Sequence, residues 1–490
     1  MTRVLVLMPV LGAAAIVAAL TSAARADGDV APDAGAGGAA VAGDAAAAAE
    51  DWTAALVART DDIAKEVAGL RGLKVKQSIK RDVMSVAALR ERLVTALDED
   101  TAPERRAAEQ LTLKRWGLVA PGVDIQQVLL DVLTEQIAGF YDPKTETLYI
   151  PQRDGADSAG DAGWADALMA HEIVHALQDQ HFDLERYADV PENEGDAQLA
   201  RQAVVEGDGM VSMIELMLAR QGLSAPWGMP DAVAMLTKSM EGGGGGDDQL
   251  SKAPLVVREL LMFPYARGLQ FIAALRARGA WTKVDQVFAQ PPESTEQILH
   301  PELYLAHEHP QQITVGDLPS LAGWVAVDDN VLGEAGWSVL LRQHGVDVTR
   351  ALDAAAGWGG DRVALYLDGD QTPTTATPRA AVAVALTSWD AEIDAMEFEE
   401  AAVQAVEHLA PGVVVEDGKH RTVWLGLDAR VSIVERDGAR VVVVIGAPPT
   451  ARDTITAEVA ATWKVTAGKA PKSLGKSKGK GKGKAKGKAR

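Results

Sequence analysis

The chain has 490 residues, no cysteine and a formal net charge of −21 at neutral pH. The lack of cysteine excludes a disulfide framework and any thiolate metal site, so stability has to come from a buried core. Residues 1–26 and 465–490 together carry twelve basic residues and no acid, so the body between them has a net charge of −33. A body this acidic argues against an overall nucleic-acid-binding surface.

The N-terminus has the features of a secretory signal peptide. Arg3 precedes an apolar run over residues 4–20, and residues 24–26 read Ala-Arg-Ala, the small-x-small pattern that signal peptidase cleaves. We therefore expect residues 1–26 to be removed from an exported protein, periplasmic or secreted, with an uncleaved anchor helix as the alternative. No later apolar run is long enough to span a bilayer, so no membrane span is expected after cleavage.

Two low-complexity segments flank the predicted folded part. Residues 27–50 are rich in alanine and glycine, which is typical of a linker. Residues 465–490 contain nine lysines and Arg490 among glycines and alanines, so this tail is predicted to be disordered. The tail could contact an anionic polymer, such as an envelope polymer or nucleic acid, or the acidic body of the protein itself, or it could be solvated without a specific partner.

Residues 51–311 are predicted to form a mainly helical domain. Apolar residues recur at i, i+3 and i+4 spacing in residues 82–97 and 124–140, and further helices are predicted over 196–222 and 254–278. Residues 147–150 alternate after a polar turn and indicate a short strand. The glycines at 242–246 indicate a flexible surface insertion.

Residues 312–464 have a mixed pattern that predicts an α+β portion. Strands are predicted over residues 362–367, 381–389 and 421–427, and over a hairpin of 430–436 with 439–446 that turns at Asp437-Gly438. A helix is predicted over residues 390–409. The fold class expected for the whole chain is therefore α+β and mainly helical, and the oligomeric state stays open.

Residues 171–175 read His-Glu-Ile-Val-His, an H-E-x-x-H pattern in an apolar helical segment. His171 and His175 lie one turn apart on a helix, so their imidazoles can reach the same ion. Zinc accepts neutral imidazole and carboxylate ligands, and at a catalytic site it binds a water whose pKa falls to about 7. Glu172 is placed to take the proton of that water. The alternative is a pair of core or surface histidines beside a solvated glutamate.

Two downstream glutamates are candidates for the third zinc ligand. Glu206 falls on an apolar face of the helix predicted from residue 196, where an ionised carboxylate is costly unless a cation meets it. Glu194 lies in a polar loop, where water or the start of the helix can satisfy it. The burial cost favours Glu206. Gly207 and Gly209, beside Glu206, predict that the two helices approach closely.

Several other residues near the motif have open roles. His181 falls off the His171/His175 face and is predicted to be structural, while Asp179 and Asp208 are candidates to orient a ligand histidine. A donor that stabilises an oxyanion is also required. The candidates for this donor, each with a packing role as the alternative, are Tyr141, Tyr265, His300 and Tyr304. Asp361 and Arg362 in the glycine-rich turn 357–362 are a possible buried pair.

The segments AHEIVHALQDQHFDL (170–184) and AVVEGDG (203–209) resemble zinc metallopeptidases of the gluzincin type, whose third ligand is a glutamate on the next long helix. A wider set of blocks is similar to a poorly characterised family of bacterial exported proteins and lipoproteins with this signature. These blocks are GFYDPKTETLYIP, HEIVHALQDQHFDL, PPESTEQILHPELYL, AAGWGGDRVALYL and SWDAEIDAMEF, within about residues 70–400.

The resemblance implies a zincin-like helical metallopeptidase core and an exported zinc metallopeptidase, with an endopeptidase expected, acting on peptide or protein substrates. His171, His175 and Glu206 would be the zinc ligands, and Glu172 would be the general base and acid for the zinc-activated water. The strand at 147–150 would be an exposed edge that aligns the substrate backbone. The alternative function is a non-catalytic envelope binding or scaffold protein that retains the metal-binding helix pair.

Two features of this chain depart from that pattern. The third ligand of gluzincins usually follows the second histidine by about twenty residues, whereas Glu206 lies 31 residues beyond His175 and Glu194 lies 19 beyond it. The chain also lacks the lipid-bearing cysteine of many relatives. Release from the membrane is therefore expected rather than lipid anchoring.

Overall fold

The computed structural model describes residues 42–137, 139–152, 162–241, 248–470 and 474. These residues form an α+β protein that is mainly helical, so the predicted fold class is confirmed. The predicted signal peptide, the glycine run at 242–246 and most of the lysine-rich tail lie outside the described residues. Among the helices that the structure describes, none combines the length and apolarity that a bilayer crossing requires.

The helical part comes first in the chain. Its helices up to the long central one are α1 (Ala42–Arg71), α2 (Val86–Asp100), α3 (Pro103–Arg115), α4 (Ile125–Gln136), α5 (Ala162–Phe182), α6 (Leu184–Tyr187) and α7 (Gly195–Arg220). The helices that follow are α8 (Pro230–Glu241), α9 (Gln249–Lys252), α10 (Leu255–Ala277), α11 (Thr282–Ala289), α12 (Thr295–Leu299) and α13 (Pro301–Ala306). Four more helices lie among the C-terminal strands: α14 (Gly333–Gln343), α15 (Val348–Ala355), α16 (Glu392–Leu409) and α17 (Ile455–Thr462).

The strands form three sheets. The first contains β1 (Lys80–Ser85), β2 (Phe140–Asp142) and β3 (Thr147–Gln152), in the order β1-β3-β2. The second is antiparallel, in the order β5-β6-β7-β11-β10-β9-β8, with β5 (Trp324–Asn330), β6 (Trp358–Asp368), β7 (Val382–Trp389), β8 (Gly412–Asp417), β9 (Arg421–Gly426), β10 (Val431–Asp437) and β11 (Arg440–Ala447). The third pairs β4 (Gln312–Thr314) with β12 (Lys464–Thr466).

Helix α7 lies at the centre of the helical part and is buried along most of its length. It crosses α10 at two glycines: a β-carbon built on Gly207 would lie 2.2 Å from the carbonyl oxygen of Gly268. One built on Gly268 would lie 2.1 Å from the carbonyl oxygen of Ala203. Only glycine permits this backbone approach. Gly207 therefore brings α7 close to α10, rather than to the motif helix as the sequence suggested.

Helix α5 carries the H-E-x-x-H motif and is packed on two sides. Ile173, Val174 and Leu177 share a core with Leu148 and Ile150 of β3, and another face of α5 packs on α7. The helix ends at Phe182, followed by Asp183 in the left-handed region with φ of 62°. The Asp183 carboxylate accepts a hydrogen bond from the backbone of Arg186 and caps α6. The motif is thus held between a sheet and the central helix.

The seven-stranded sheet packs on the helical part without a break in the core. Along β7, Ala383 and Ala385 belong to the core shared with the helices, and Val382 and Val384 belong to the core on the opposite face. This alternation is that of a strand buried on both faces. The predicted boundary at 311/312 is therefore a change in secondary structure within one continuous core.

Three predicted segments differ in the structure. Residues 42–50, predicted as linker, begin helix α1, since alanine is the best helix former and this stretch is rich in it. Strand β12 reaches Thr466, past the predicted end of the α+β portion at 464. The prediction that residues 147–150 form an exposed edge is wrong, because β3 is the central strand and pairs in parallel with β1. The residues of β1 do not alternate between apolar and polar, so the sequence did not predict β1 as the partner of β3.

Candidate metal centre

The structure brings His171 and His175 of α5 together with Glu206 of α7. The Nε2 atoms of the two histidines lie 2.9 Å apart. The Glu206 Oε2 lies 3.0 Å from Nε2 of His171 and 3.4 Å from Nε2 of His175. All three side chains are buried, with 0% of His171, 7% of His175 and 1% of Glu206 exposed. Three atoms with lone pairs therefore converge on one buried point.

Gln178 determines which nitrogen of His175 carries a proton. The Gln178 amide nitrogen donates to the backbone oxygen of Val205 at 3.0 Å and to Asp208 Oδ2 at 2.9 Å. Both partners are acceptors, so the Gln178 Oε1 must face Nδ1 of His175, 2.9 Å away. Nδ1 is then the protonated nitrogen that donates. In the neutral ring this leaves the lone pair of Nε2 directed at the convergence point.

A buried ion pair between Arg71 and Asp208 contacts the Gln178 side chain. Asp208 accepts a hydrogen bond from Nε of Arg71 at 2.6 Å, and neither side chain is exposed. Arg71 also pairs with Asp285 at 2.8 Å, and its guanidinium lies over the ring of Trp281. A chain of contacts thus runs from the last residue of α1 through Asp208 and Gln178 to His175. Such outer contacts fix the orientation of a metal-binding imidazole.

Glu172 lies beside the convergence point with one oxygen held and one free. Its Oε2 accepts a hydrogen bond from the backbone nitrogen of Tyr141 in β2 at 3.0 Å, and its Oε1 is buried without a partner among the described residues. One oxygen of Glu172 lies within 4.8 Å of a ring nitrogen of each motif histidine. The side chain is thus oriented by the sheet and has one oxygen available to hold a proton.

Tyr265 and Gly209 complete the surroundings of His171 and Glu206. The Tyr265 hydroxyl donates a hydrogen bond to Glu206, and its ring is stacked 6.3 Å from that of His171. Gly209 leaves space for the His171 ring, because a β-carbon at this position would lie 2.7 Å from its Cε1. The His171 Nδ1 has no hydrogen-bond partner among the described residues. Tyr265 therefore positions the carboxylate, and Gly209 permits the close approach of α5 to α7.

The electrostatics of the cluster favour a positive charge at its centre. Burial lowers the pKa of His175, but the carboxylates of Glu206 and Glu172 outweigh it and raise the pKa to about 9. Burial and the neighbouring His175 lower the pKa of His171. Burial raises the pKa of Glu206, yet its contacts with His175 and His171 bring this pKa below the ordinary value. The same carboxylates would attract a metal cation, which would compete with a proton for Nε2 of His175.

The donor set suits zinc. Zinc takes imidazole nitrogen and carboxylate oxygen at about 2.0–2.2 Å, so donors in a tetrahedron lie roughly 3.4 Å apart. The three separations of 2.9, 3.0 and 3.4 Å are close to this value. The separation of the donors, the free lone pair of His175 and the absence of thiolates all agree with a zinc ligand set.

The structure places Glu194, the alternative third ligand, away from the cluster. Glu194 precedes α7, and its carboxylate pairs with Arg362 at 2.6 Å. Arg362 also pairs with Asp329 at 3.3 Å. The suggested Asp361–Arg362 pair is therefore wrong: Asp361 accepts from the indoles of Trp337 and Trp358 instead. Neighbouring residues on a strand point to opposite faces, which separates the two side chains.

The remaining candidates have structural contacts. His181 Nε2 bonds the backbone oxygen of Lys74 at 2.8 Å, as predicted for a structural histidine. Asp179 accepts hydrogen bonds from the Tyr141 hydroxyl at 2.9 Å and from the backbone nitrogen of Leu184 at 3.0 Å. His300 bonds Glu334 and Tyr304 bonds the backbone of Gln290, so neither contacts the cluster. Of the four oxyanion candidates, Tyr265 reaches the cluster by its side chain and Tyr141 by its backbone.

Gln178 and Arg71, which connect the cluster to the rest of the protein, were not predicted as part of the site. Gln178 lies three residues after His175, so its position on the same helical face was a usable signal. Arg71 lies 100 residues before the motif, and only the packing of α1 against α7 brings it to Asp208. In the sequence, Arg71 is a basic residue at the end of an amphipathic helix, and such residues are ordinarily solvated.

Comparison with known proteins gives one partial match. Residues 321–456 match a family described as a domain of unknown function (DUF8575). This segment covers the seven-stranded sheet from β5 to β11 and does not include the motif helix. No curated protein and no solved structure matches the chain.

Proposed function

We propose that this protein is an exported zinc metallopeptidase with a zincin-like catalytic core. The observation that carries the proposal is the convergence of His171 Nε2, His175 Nε2 and Glu206 Oε2 beside the free oxygen of Glu172. These three side chains would hold the ion. Zinc bound there would supply Lewis acidity, which lowers the pKa of a coordinated water to about 7 and polarises a substrate carbonyl.

Glu172 is the general base and acid in this proposal. Burial, opposed by His175, raises its pKa to about 8, so its carboxyl can hold a proton near neutral pH. The Tyr141 backbone fixes Oε2, which leaves Oε1 to take a proton from the attacking water and deliver it to the leaving amine. Gln178 and Tyr265 act on the ligands and not on the substrate: Gln178 orients His175, and Tyr265 orients Glu206.

The burial of the cluster favours a second candidate function. His171, Glu172 and Glu206 are each exposed by 3% or less, which leaves little surface for a peptide to reach. A scaffold or envelope-binding protein that holds zinc without turnover would have such a closed site. Under the peptidase proposal, the chain must open around α5 when substrate binds.

Metal analysis combined with an assay on casein and a peptide library separates the two functions. We expect about one zinc per chain in the wild type and in Glu172→Gln, and a clear loss of zinc in His175→Ala. Cleavage should fall by at least about 100-fold in Glu172→Gln, as expected on removal of an acid–base group. Glu192→Gln, an exposed glutamate, is the matched control and should retain both zinc and cleavage.

The outcomes assign the function. Zinc with no cleavage of any substrate would favour the scaffold. Wild-type protein without zinc would overturn both functions, and cleavage that persists in Glu172→Gln would overturn the role of that residue. The export component is tested separately by the N-terminal sequence of the cell-envelope fraction, where cleavage after Ala26 is expected.

A further inference from the structure

A second cluster of acidic side chains lies outside the candidate metal centre. It contains Glu296 of α12, Glu308 just after α13 and Asp390 just after β7. One carboxylate oxygen from each of the three lies within 4.8 Å of the other two. Glu296 is buried, Glu308 is half-buried and Asp390 is exposed, so the cluster opens to solvent on the side of Asp390.

Two buried oxygens in this region have no hydrogen-bond partner among the described residues. Glu296 is 3% exposed, and its Oε1 is buried without a donor. Glu334, which is 5% exposed, accepts from His300 with Oε1 at 2.9 Å, while its Oε2 is likewise buried without a donor. A buried carboxylate oxygen without a partner is costly, and native structures contain few of them. Glu334 is not a member of the acidic cluster, so its unpaired oxygen is a separate observation that this region favours a bound cation.

The surrounding charges do not compensate these acids. The groups that act on the Glu296 carboxyl are the carboxyls of Glu334, Asp390, Glu308 and Asp196. Burial and these like charges raise the pKa of Glu296 to about 10. Among the described residues, Glu296, Glu308 and Asp390 form no ion pair with lysine or arginine. Either these carboxyls share protons or a bound cation neutralises them.

We propose that Glu296, Glu308 and Asp390 bind a calcium ion. The three side chains offer carboxylate oxygens, which are typical ligands of calcium and magnesium. Oxygens on opposite sides of calcium lie about 4.6–5.2 Å apart, and those on opposite sides of magnesium only about 4.2 Å apart. The three oxygens, each within 4.8 Å of the other two, fit within the span of a calcium coordination sphere. Water at the exposed side would supply the remaining ligands.

The position of the cluster indicates what the ion does. Glu296 and Glu308 belong to the helical part, and Asp390 directly follows Trp389, the last residue of β7 in the large sheet. Gln297, next to Glu296, also donates a hydrogen bond to the backbone oxygen of Glu308. An ion held by all three would link the helical part to the sheet. Calcium binding should therefore stabilise the whole chain against unfolding.

Thermal unfolding and calorimetry of the full chain test the proposal. The protein is treated with EGTA, supplied with zinc, and titrated with calcium chloride. We expect the wild-type Tm to rise by about 5 °C at saturation, with one calcium bound per chain. Asp390→Asn should abolish the rise. Glu296→Gln should abolish it too, and should raise the Tm of the calcium-free protein, because the amide is neutral and does not have to take up a proton when it is buried.

Matched controls distinguish this site from other acidic surface and from the zinc centre. The exposed residues Asp370 and Glu397 provide Asp370→Asn and Glu397→Gln, which should respond to calcium like the wild type. His175→Ala should also keep the calcium response, so failure of the peptidase proposal would leave this one intact. Should Glu296→Gln not fold, the exposed Asp390→Asn still decides the matter.

The proposal is overturned if calcium produces neither a Tm rise nor binding heat in the wild type. A calcium response that survives in Asp390→Asn would also overturn it. An equal response to magnesium would overturn the calcium assignment, because it would indicate a general effect of divalent charge.

Discussion

Gly209 of α7 lies directly against the imidazole of His171 in α5. A β-carbon at Gly209 would be 2.7 Å from Cε1 and 2.9 Å from Nδ1 of that ring. The ring is fully buried, so the contact sets how closely the two helices approach. It also sets the distance between the histidine and Glu206, since Glu206 is on the same helix one turn away.

Gly209→Ala should therefore weaken zinc binding and destabilise the protein. We expect the free energy of unfolding to fall by about 1–3 kcal/mol, the usual cost of overpacking a core. Zinc affinity, measured by competition with a chromophoric chelator, should fall by at least about tenfold. The control is Gly69→Ala on α1, where a β-carbon has no neighbour within 4 Å and stability should rise slightly. Unchanged zinc affinity in Gly209→Ala would contradict the close contact.

Gln178→Leu should lower zinc affinity by about 10- to 100-fold, because the His175 ring loses the acceptor that fixes its orientation. The substitution conserves the approximate size of the side chain but leaves Asp208 with one donor fewer. Competition with the same chelator measures the effect. Gln221→Leu, an exposed glutamine at the end of α7, is the matched control and should bind zinc like the wild type. Equal affinities in the two variants would mean that Gln178 does not position His175.

The elements that were predicted well have a strong local pattern. The hairpin of β10 and β11 is present, and its turn is Gly438-Ala439, one residue after the predicted Asp437-Gly438, because Asp437 pairs with Arg440. Gly438 has a positive φ of 58°, as a tight hairpin turn requires. Helices α7 and α10 were predicted within one or two residues, since long periodic segments with clear ends are the most reliable. Strand β1 was not predicted, because its largely exposed segment shows no alternation. Helices α14 and α15, of 11 and 8 residues, were also not predicted, although both are amphipathic.

The candidate metal centre was partly predictable, because some of its residues belong to one local sequence pattern. His171, Glu172 and His175 share one helical segment, and Glu206 was selected because a carboxylate on an apolar helix face needs a cation. The structure places Glu206, and not Glu194, at the histidines. The contacts made by Arg71 and Tyr265 depend on how separate helices pack, which the spacing of residues along the chain does not determine.

Arg71→Met should destabilise the protein by about 3–5 kcal/mol, since the substitution leaves the Asp208 carboxylate buried without its cation. Urea unfolding measures the change. The double variant Arg71→Met/Asp208→Asn should recover part of the loss, because it removes the uncompensated charge as well. Arg81→Met, which breaks an exposed pair with Asp61, is the control and should cost less than about 1 kcal/mol. A loss in Arg71→Met no larger than in this control would contradict the buried pair.

Asp328→Asn should change how stability depends on pH. Asp328 is 5% exposed, and burial, opposed by Arg105 and Thr112, raises its pKa from 3.8 to about 6. Between these two values the folded state binds more protons than the unfolded state, so this group makes stability fall as pH rises from about 4 to 6. The difference between the folded-state and unfolded-state pKa values corresponds to roughly 3 kcal/mol in the free energy of unfolding.

The asparagine side chain cannot titrate. Between pH 4 and 7 the free energy of unfolding of the wild type should therefore fall by about 3 kcal/mol more than that of Asp328→Asn. Urea unfolding at half-unit steps of pH measures this difference directly. Asp370→Asn, an exposed aspartate, should follow the wild-type curve throughout. If the Asp328→Asn and wild-type curves stay parallel across this range, Asp328 is ionised in the folded protein at pH 5, and the ion pair with Arg105 at 3.2 Å outweighs its burial.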